Sequence, residues 1–111
     1  MTIELEGFAV KPDKLTVAHE WLAFLREHTA AVNQTLVPEH LSREQIFSVT
    51  IGSRLYLCWY SDAFAPAEQA VTASRDPIDQ QHVRYWNECI DESVPSLKFN
   101  LENSFVNPNI D

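Results

Sequence analysis

The sequence is poor in glycine and in basic residues. Two of the 111 residues are glycine, whereas the phosphate-binding loops of P-loop and dinucleotide-binding proteins need several glycines in one short motif. Eight Lys and Arg oppose sixteen Asp and Glu, which gives a formal net charge of −8. Nucleic acids and anionic lipids repel an acidic chain that has no Lys/Arg cluster. We therefore expect neither a nucleic-acid partner nor a membrane partner.

Long hydrophobic runs and cysteine motifs are also missing. The longest apolar run covers residues 55–60, too short to span a bilayer, and the N-terminus has neither the basic start nor the apolar stretch of a signal peptide. The two cysteines, Cys58 and Cys89, form no CxxC motif. They are expected to be reduced, buried thiols of a cytoplasmic protein, with a disulfide or a nucleophile as the alternatives.

The apolar residues that are present suffice for one core. Hydrophobic residues make up 45% of the chain, among them three Trp, three Tyr and six Phe, and a chain of this length has room for a single domain. Since neither a repeat nor a linker interrupts it, residues 1–111 are predicted to form one domain. The Asn/Pro-rich segment 107–111 is expected to be a frayed tail.

The first half of the chain has the pattern of a strand followed by a helix. Residues 3–10 alternate as in a strand, and residues 11–13 then break it. Apolar residues recur at helical spacing over residues 14–36, which predicts one helix that ends before Pro38. The members of this apolar stripe are Ala18, Trp21, Leu25, Val32 and Leu36.

A β-hairpin is predicted next, with strands over 44–51 and 54–62 and a turn at Gly52-Ser53. Its register has two solutions. A two-residue loop places Phe47 and Val49 on the opposite sheet face from Leu57 and Trp59, whereas a three-residue loop places all four on one face. We favour the three-residue loop, because it gathers the larger apolar residues against the helices.

The second half contains a helix and a final strand. The Ala-rich polar segment 63–77 is either a lid or contains a helical turn, because structureless loops of this length are uncommon. Asp76-Pro77 is a typical helix start, and a helix is predicted over 78–93, before Pro95. Alternation from residue 97 to 101 predicts the last strand.

The predicted order is therefore β-α-β-β-α-β. Right-handed crossovers convert this order into an α+β ferredoxin-like fold, with a four-stranded antiparallel sheet and two helices on one face. The opposite sheet face would be partly apolar. We expect it to pack on a second copy, which predicts a homodimer.

Several stretches resemble known proteins: residues 8–12 (FAVKP), 20–25 (EWLAFL), 56–60 (YLCWY) and, most specifically, 78–91 (IDQQHVRYWNECID). The chain resembles the dimeric α+β barrel group, which includes rhamnose-type mutarotases and small haem-degrading and antibiotic-biosynthesis monooxygenases. It is more similar to an uncharacterised bacterial family of about this length. That resemblance implies a fold and no activity. Haem-degrading members carry an Asn on the first strand, where this chain has Glu4 and Glu6, so no cofactor is expected.

Two histidines lie on the apolar helix stripes, and they are the candidates for chemistry. His28 follows the first stripe and His82 lies on the second. Antiparallel helices would bring both to the same end of the helical layer. Asp79 lies one turn before His82, and the strand ends at that level carry Glu44 and Asp62.

Three interpretations of this cluster remain open. In the first, Asp79 orients His82 as a general acid/base in a pocket lined by tryptophans, namely Trp21, Trp59 and Trp86. In the second, His28 and His82 bind a metal with a carboxylate, although no HxxxH spacing supports a metal site and none is expected. In the third, the histidines only fix helix packing.

The sequence thus predicts a small-molecule-binding protein, with an isomerase or mutarotase-type enzyme as the candidate activity. The candidate catalytic residues are His82, Asp79 and His28, and the candidate pocket residues are Trp21, Trp59, Trp86, Glu44 and Asp62. The competing hypothesis is a non-catalytic domain whose sheet face serves self-association or partner binding.

Overall fold

The computed structural model of the protein describes residues 1–110. They form an α+β fold with four strands and three α-helices. The strands are β1 (Thr2–Ala9), β2 (Leu41–Ile51), β3 (Arg54–Ala63) and β4 (Leu97–Lys98), and the helices are α1 (Leu15–Glu27), α2 (Thr29–Glu39) and α3 (Pro77–Cys89). No helix within this part of the chain is long and apolar enough to cross a membrane.

The four strands form one open antiparallel sheet in the order β2-β3-β1-β4. The core lies between this sheet and the helices. Its largest fully buried side chains come from every layer: Val10 after β1, Trp21 on α1, Leu57 on β3 and Cys89 on α3. We call the sheet surface that carries Leu57 and Trp59 the inner face, and the opposite surface the outer face.

The predicted helix over residues 14–36 is wrong in one respect, because it is two helices with a break at His28. His28 has φ −115° and ψ 30°, and it ends α1 and begins α2. Local side-chain bonds compete with the helix here: Thr29 Oγ1 donates to the Arg26 carbonyl at 2.7 Å, and His28 Nδ1 lies 2.8 Å from the Phe24 carbonyl. Threonine hydroxyls that bond to the backbone in this way are favoured at helix ends over helix interiors.

The position of the helix end also differs from the prediction. Pro38 does not end α2 but lies inside its last turn. The helix ends at His40, which has φ 56° and ψ 35°, and whose backbone N–H reaches the last-turn carbonyls. A left-handed residue after the last turn is a common helix stop, and it lets β2 begin at Leu41, three residues earlier than predicted.

The hairpin register favoured from the sequence is wrong. Ile51 pairs with Arg54, so the loop has two residues, and Gly52 adopts φ 62° as such tight turns require. Phe47 and Val49 therefore lie on the outer face, opposite to Leu57. The geometry of the two-residue turn sets the register, and the burial of large side chains does not.

The second half differs from the prediction mainly in length. Asp76 caps α3 by accepting a hydrogen bond from the Ile78 N–H at 2.8 Å, and α3 ends at Cys89, four residues before the predicted end. β4 has only two residues. The segment between β3 and α3 contains one 3₁₀ turn at Val71–Ala73, which agrees with the helical-turn alternative.

Both cysteines are free and buried, in agreement with the expected buried thiols. Cys58 lies on the outer face beside Gly7, with which it pairs across β1 and β3. A Cβ atom added to Gly7 would stand 2.7 Å from Cys58 Sγ. Glycine is therefore required at this position by close packing and not by a turn.

Candidate functional site

A cavity of about 660 Å³ lies between the three helices and the inner face of the sheet. Cavities of this size hold small-molecule ligands in many proteins. Its walls are largely apolar, from residues such as Leu22, Leu25, Ile46 and Trp59. The charged and titratable side chains of the lining are Arg26, Glu39, Glu44, Asp79, His82 and Glu92. Small-molecule sites have this composition, a mostly apolar wall with a few polar groups.

Trp59 and Trp86 form the aromatic wall of the cavity. Their ring centroids are 5.3 Å apart. Trp21 packs behind them, with its centroid 5.5 Å from that of Trp59 and 5.3 Å from that of His82. Because Trp21 is fully buried and does not line the cavity, it supports the wall from the core instead of facing a ligand.

The Trp21 indole determines the hydrogen-bonding state of His82. Trp21 Nε1 donates to His82 Nδ1 at 3.0 Å. An indole N–H only donates, so Nδ1 must accept, and the proton of the neutral imidazole is on Nε2. Burial lowers the pKa of His82, against the opposing effect of the Asp79 charge. His82 is therefore a neutral ring held in one tautomer, with its N–H at Nε2, and it lines the cavity.

Asp79 lies one turn before His82 on α3, as expected from the sequence, and both line the cavity. Among residues 1–110, Asp79 forms neither an ion pair nor a hydrogen bond with His82. The His82 ring is oriented by Trp21 instead. Asp79 is 6% exposed, in the first turn of α3, where the helix dipole stabilises negative charge. Its charge acts on its neighbours across the cavity.

The Asp79 charge acts on two carboxyl groups of the cavity, those of Glu39 and Glu44. They lie at the end of α2 and on β2 and line the same cavity. Burial, then the Glu44 charge and then the Asp79 charge raise the pKa of Glu39 from 4.5 to about 7. Burial and the Asp79 charge also raise the pKa of Glu44. Near neutral pH, Glu39 can thus both accept and release a proton.

Five of the eight residues predicted for the site line this cavity together: Asp79, His82, Glu44, Trp59 and Trp86. Trp21 contacts them from behind. His28 is exposed at the break between α1 and α2, where it bonds to its own helix, and does not meet His82. Asp62 lies on the outer face, because it pairs between Ile3 and Arg43, and its Oδ1 is buried without a partner among the described residues.

Metal chemistry has little geometric support. Within residues 1–110, no three His, Cys, Asp or Glu side chains are grouped closely enough to hold a metal ion. The pair of histidines proposed for a metal site is separated, since His28 lies outside the cavity. The carboxylates of the cavity face it from different elements and do not converge on one point.

Sequence reasoning missed Glu39 and the orienting role of Trp21. Glu39 follows Pro38 at the predicted end of a helix, a position that gives no sign of burial. A signal was available in hindsight: Glu39 precedes a strand that carries Glu44 on its inner face, so a short connection must bring the two carboxyl groups near each other.

A family model spans the whole chain. The chain belongs to a family of unknown function, DUF6176, whose model matches residues 1–111. This membership agrees with the expected uncharacterised family and assigns no activity. No curated protein and no solved structure matches the chain significantly. The function of this DUF6176 member therefore has to be inferred from the cavity itself.

Proposed function

We propose that the protein binds a small molecule in the helix–sheet cavity and moves a proton on it, as an isomerase does. The observation that carries the proposal is the pair formed by Glu39, with its pKa of about 7, and the tautomer-locked His82 in one cavity. A proton carrier works best when its pKa lies near the working pH. This differs from the assignment expected from the sequence, in which His82 carried the proton.

His82 is a poor proton carrier for a physical reason. An imidazolium has an N–H on both nitrogens, so protonation would direct Nδ1–H against the Trp21 indole N–H. Loss of the Nε2 proton would leave an imidazolate, which is too basic to form near neutral pH. The neutral ring is suited to donate one fixed hydrogen bond to a substrate oxygen on which negative charge develops.

The roles in the proposed reaction follow from these states. Glu39 as carboxylate removes a proton from one position of the substrate and returns it at another, so that no atoms are gained or lost. His82 Nε2–H stabilises the oxygen that carries charge in between. Trp59 and Trp86 provide the apolar wall against which a ring or carbon skeleton packs.

The test is proton exchange with solvent. A panel of reducing sugars, amino sugars and hydroxycarbonyl and aminocarbonyl compounds is incubated in D₂O with the protein, and deuterium uptake and anomer interconversion are followed by NMR. We expect acceleration of at least one compound, a loss of about 100-fold or more in Glu39→Gln, and unchanged rates in Glu102→Gln, an exposed residue of the C-terminal segment. Acceleration of no compound, or full activity of Glu39→Gln, contradicts the proposal.

We also propose that the chain is a homodimer of the ferredoxin-like, dimeric α+β barrel type. The antiparallel strand order β2-β3-β1-β4 supports this assignment. The outer face supports the dimer, because Phe47, Val49 and Ile51 are 41–55% exposed there. In the C-terminal segment, Phe99 and Leu101 are also about half exposed. A two-fold pairing of identical faces would cover such apolar surface.

The dimer is tested at Tyr56, which lies between Val49 and Ala9 on the outer face. Tyr56→Lys places a charge in the proposed interface, so we expect monomers by light scattering after size exclusion. Gln34→Lys, at an exposed position of α2, is the matched control and should remain dimeric. A monomeric wild-type protein, or a dimer that tolerates Tyr56→Lys, contradicts the sheet-mediated arrangement.

A further inference from the structure

We infer that the cavity recognises a primary ammonium group, so that the ligand is an amine-bearing small molecule. The inference deepens the proposed function and rests on it, since it concerns the same cavity. It stands on the arrangement of Asp79, Glu44 and Glu39 around a space walled by tryptophan.

Asp79 is the first observation. Asp79 is only 6% exposed, and it lines the cavity. Its carboxylate has no hydrogen-bond donor within residues 1–110, unlike Asp76 and Asp91, whose carboxylates accept hydrogen bonds from neighbouring groups. A carboxylate in an almost fully buried residue is costly without a cationic or hydrogen-bonding partner. Because Asp79 lines the cavity, a cation in the cavity can reach its carboxylate.

The second observation is that like charges accumulate in this cavity. Burial first, and then repulsion by Glu44 and Asp79, opposes the ionisation of Glu39, and burial followed by repulsion by Asp79 opposes that of Glu44. Arg26 is the single cationic side chain of the lining. It is exposed at the end of α1, and it forms no ion pair with these carboxylates in the described chain. A bound cation would relieve the repulsion that the protein's own residues leave uncompensated.

The third observation concerns the kind of cation. No three potential metal ligands among residues 1–110 converge closely enough to hold an ion, so the carboxylates do not form a metal site. An ammonium group has three N–H donors, so it can hydrogen-bond to the Asp79 carboxylate while Glu44 and Glu39 attract it through their charge from other parts of the lining. Trp59 and Trp86 line the same cavity, and tryptophan is the side chain that attracts a cation most strongly through its ring.

The inference is tested with three probes of one skeleton: 2-phenylethylamine, 2-phenylethanol and phenylacetate. Titrations at pH 8 are followed by the indole N–H signals of ¹⁵N-labelled protein. We expect the amine to shift the Trp59 and Trp86 signals with a dissociation constant at least 10-fold lower than that of the alcohol. Asp79→Asn should weaken amine binding about 10-fold or more, because it removes a hydrogen bond to a charged group. Asp13→Asn, an exposed aspartate outside the cavity, is the matched control and should bind normally.

The outcomes separate this inference from the proposed function. If the alcohol or the carboxylate binds as tightly as the amine, the cation specificity is wrong and the small-molecule cavity stands. If Asp79→Asn binds the amine like wild type, the ammonium site is overturned even if the amine binds. If no probe shifts either indole while the solvent-exchange activity of the protein is measurable, the ammonium inference fails alone; if that activity is also absent, both fail.

Discussion

Replacement of Glu39 by glutamine should stabilise the protein, and more at neutral to alkaline pH than at acidic pH. Glutamine keeps the shape of the side chain and removes its charge. Glu39 has a pKa of about 7 in the folded protein against an ordinary value of 4.5. Between these values the folded state binds more protons than the unfolded state, so stability falls as pH rises through that range. Glu39→Gln removes this loss.

The magnitude follows from the two pKa values. The difference between 4.5 and about 7 corresponds to about 3.4 kcal/mol at about 1.36 kcal/mol per tenfold change. Because Glu39 is only half-buried, solvent screening reduces this figure, and we take about 1–2 kcal/mol. For a domain of this size, that range raises Tm by about 4–8 °C at pH 8. By linkage, a shift of this reduced size leaves about half of the gain at pH 5.

The assay is thermal unfolding by circular dichroism at pH 5 and pH 8, with the variant compared to wild type at each pH. Other groups titrate over the same interval, but they cancel in the difference between the two proteins. Glu102→Gln serves as the control and should leave Tm unchanged at both pH values. An equal gain at pH 5 and pH 8 would show that charge is not the cause. A loss of stability at pH 8 would refute the reasoning outright.

Two further predictions test the packing around the cavity. Trp21→Phe removes the donor to His82 Nδ1, so the His82 pKa should rise in an NMR titration and the free energy of unfolding should fall by about 1–3 kcal/mol; an unchanged His82 titration would contradict the tautomer assignment. Gly7→Ala places a methyl group against Cys58 Sγ and should cost about 1–3 kcal/mol in urea unfolding. Added Cys58→Ala should recover part of that loss, and no recovery would contradict the close contact as its cause.

The element order could be predicted from the sequence because local signals were strong and consistent. The hairpin turn, the Asp76 cap and the apolar stripes each have a direct physical reading, and all three are found in the structure. The hairpin register was mispredicted because the argument gave hydrophobic burial more weight than turn geometry. Gly52 at φ 62° selects the two-residue loop, and Phe47 is left exposed as a consequence.

The candidate site was predictable only in part, and the reason is its three-dimensional origin. His82 and Asp79 share one helix face, so their spacing revealed them. Glu39 acquires its pKa from burial and from charges on two other elements, and no local pattern reports that. The break at His28 likewise depends on side-chain bonds to the preceding turn, and it removed one predicted member from the site.

The separation of roles between His82 and Glu39 links the fold to the proposed chemistry. A histidine with an ordinary pKa of 6.5 is the expected proton carrier at neutral pH, yet burial lowers the pKa of His82, and the Trp21 N–H bonds to the neutral form. The same surroundings act in the opposite sense on a carboxyl group, because burial always disfavours the charged form. One buried cavity thus turns the histidine into a fixed donor and the glutamate into a group that titrates near 7. An ammonium ligand would lower the pKa of Glu39 again, so that binding itself would convert Glu39 into the carboxylate that the proton-transfer step requires.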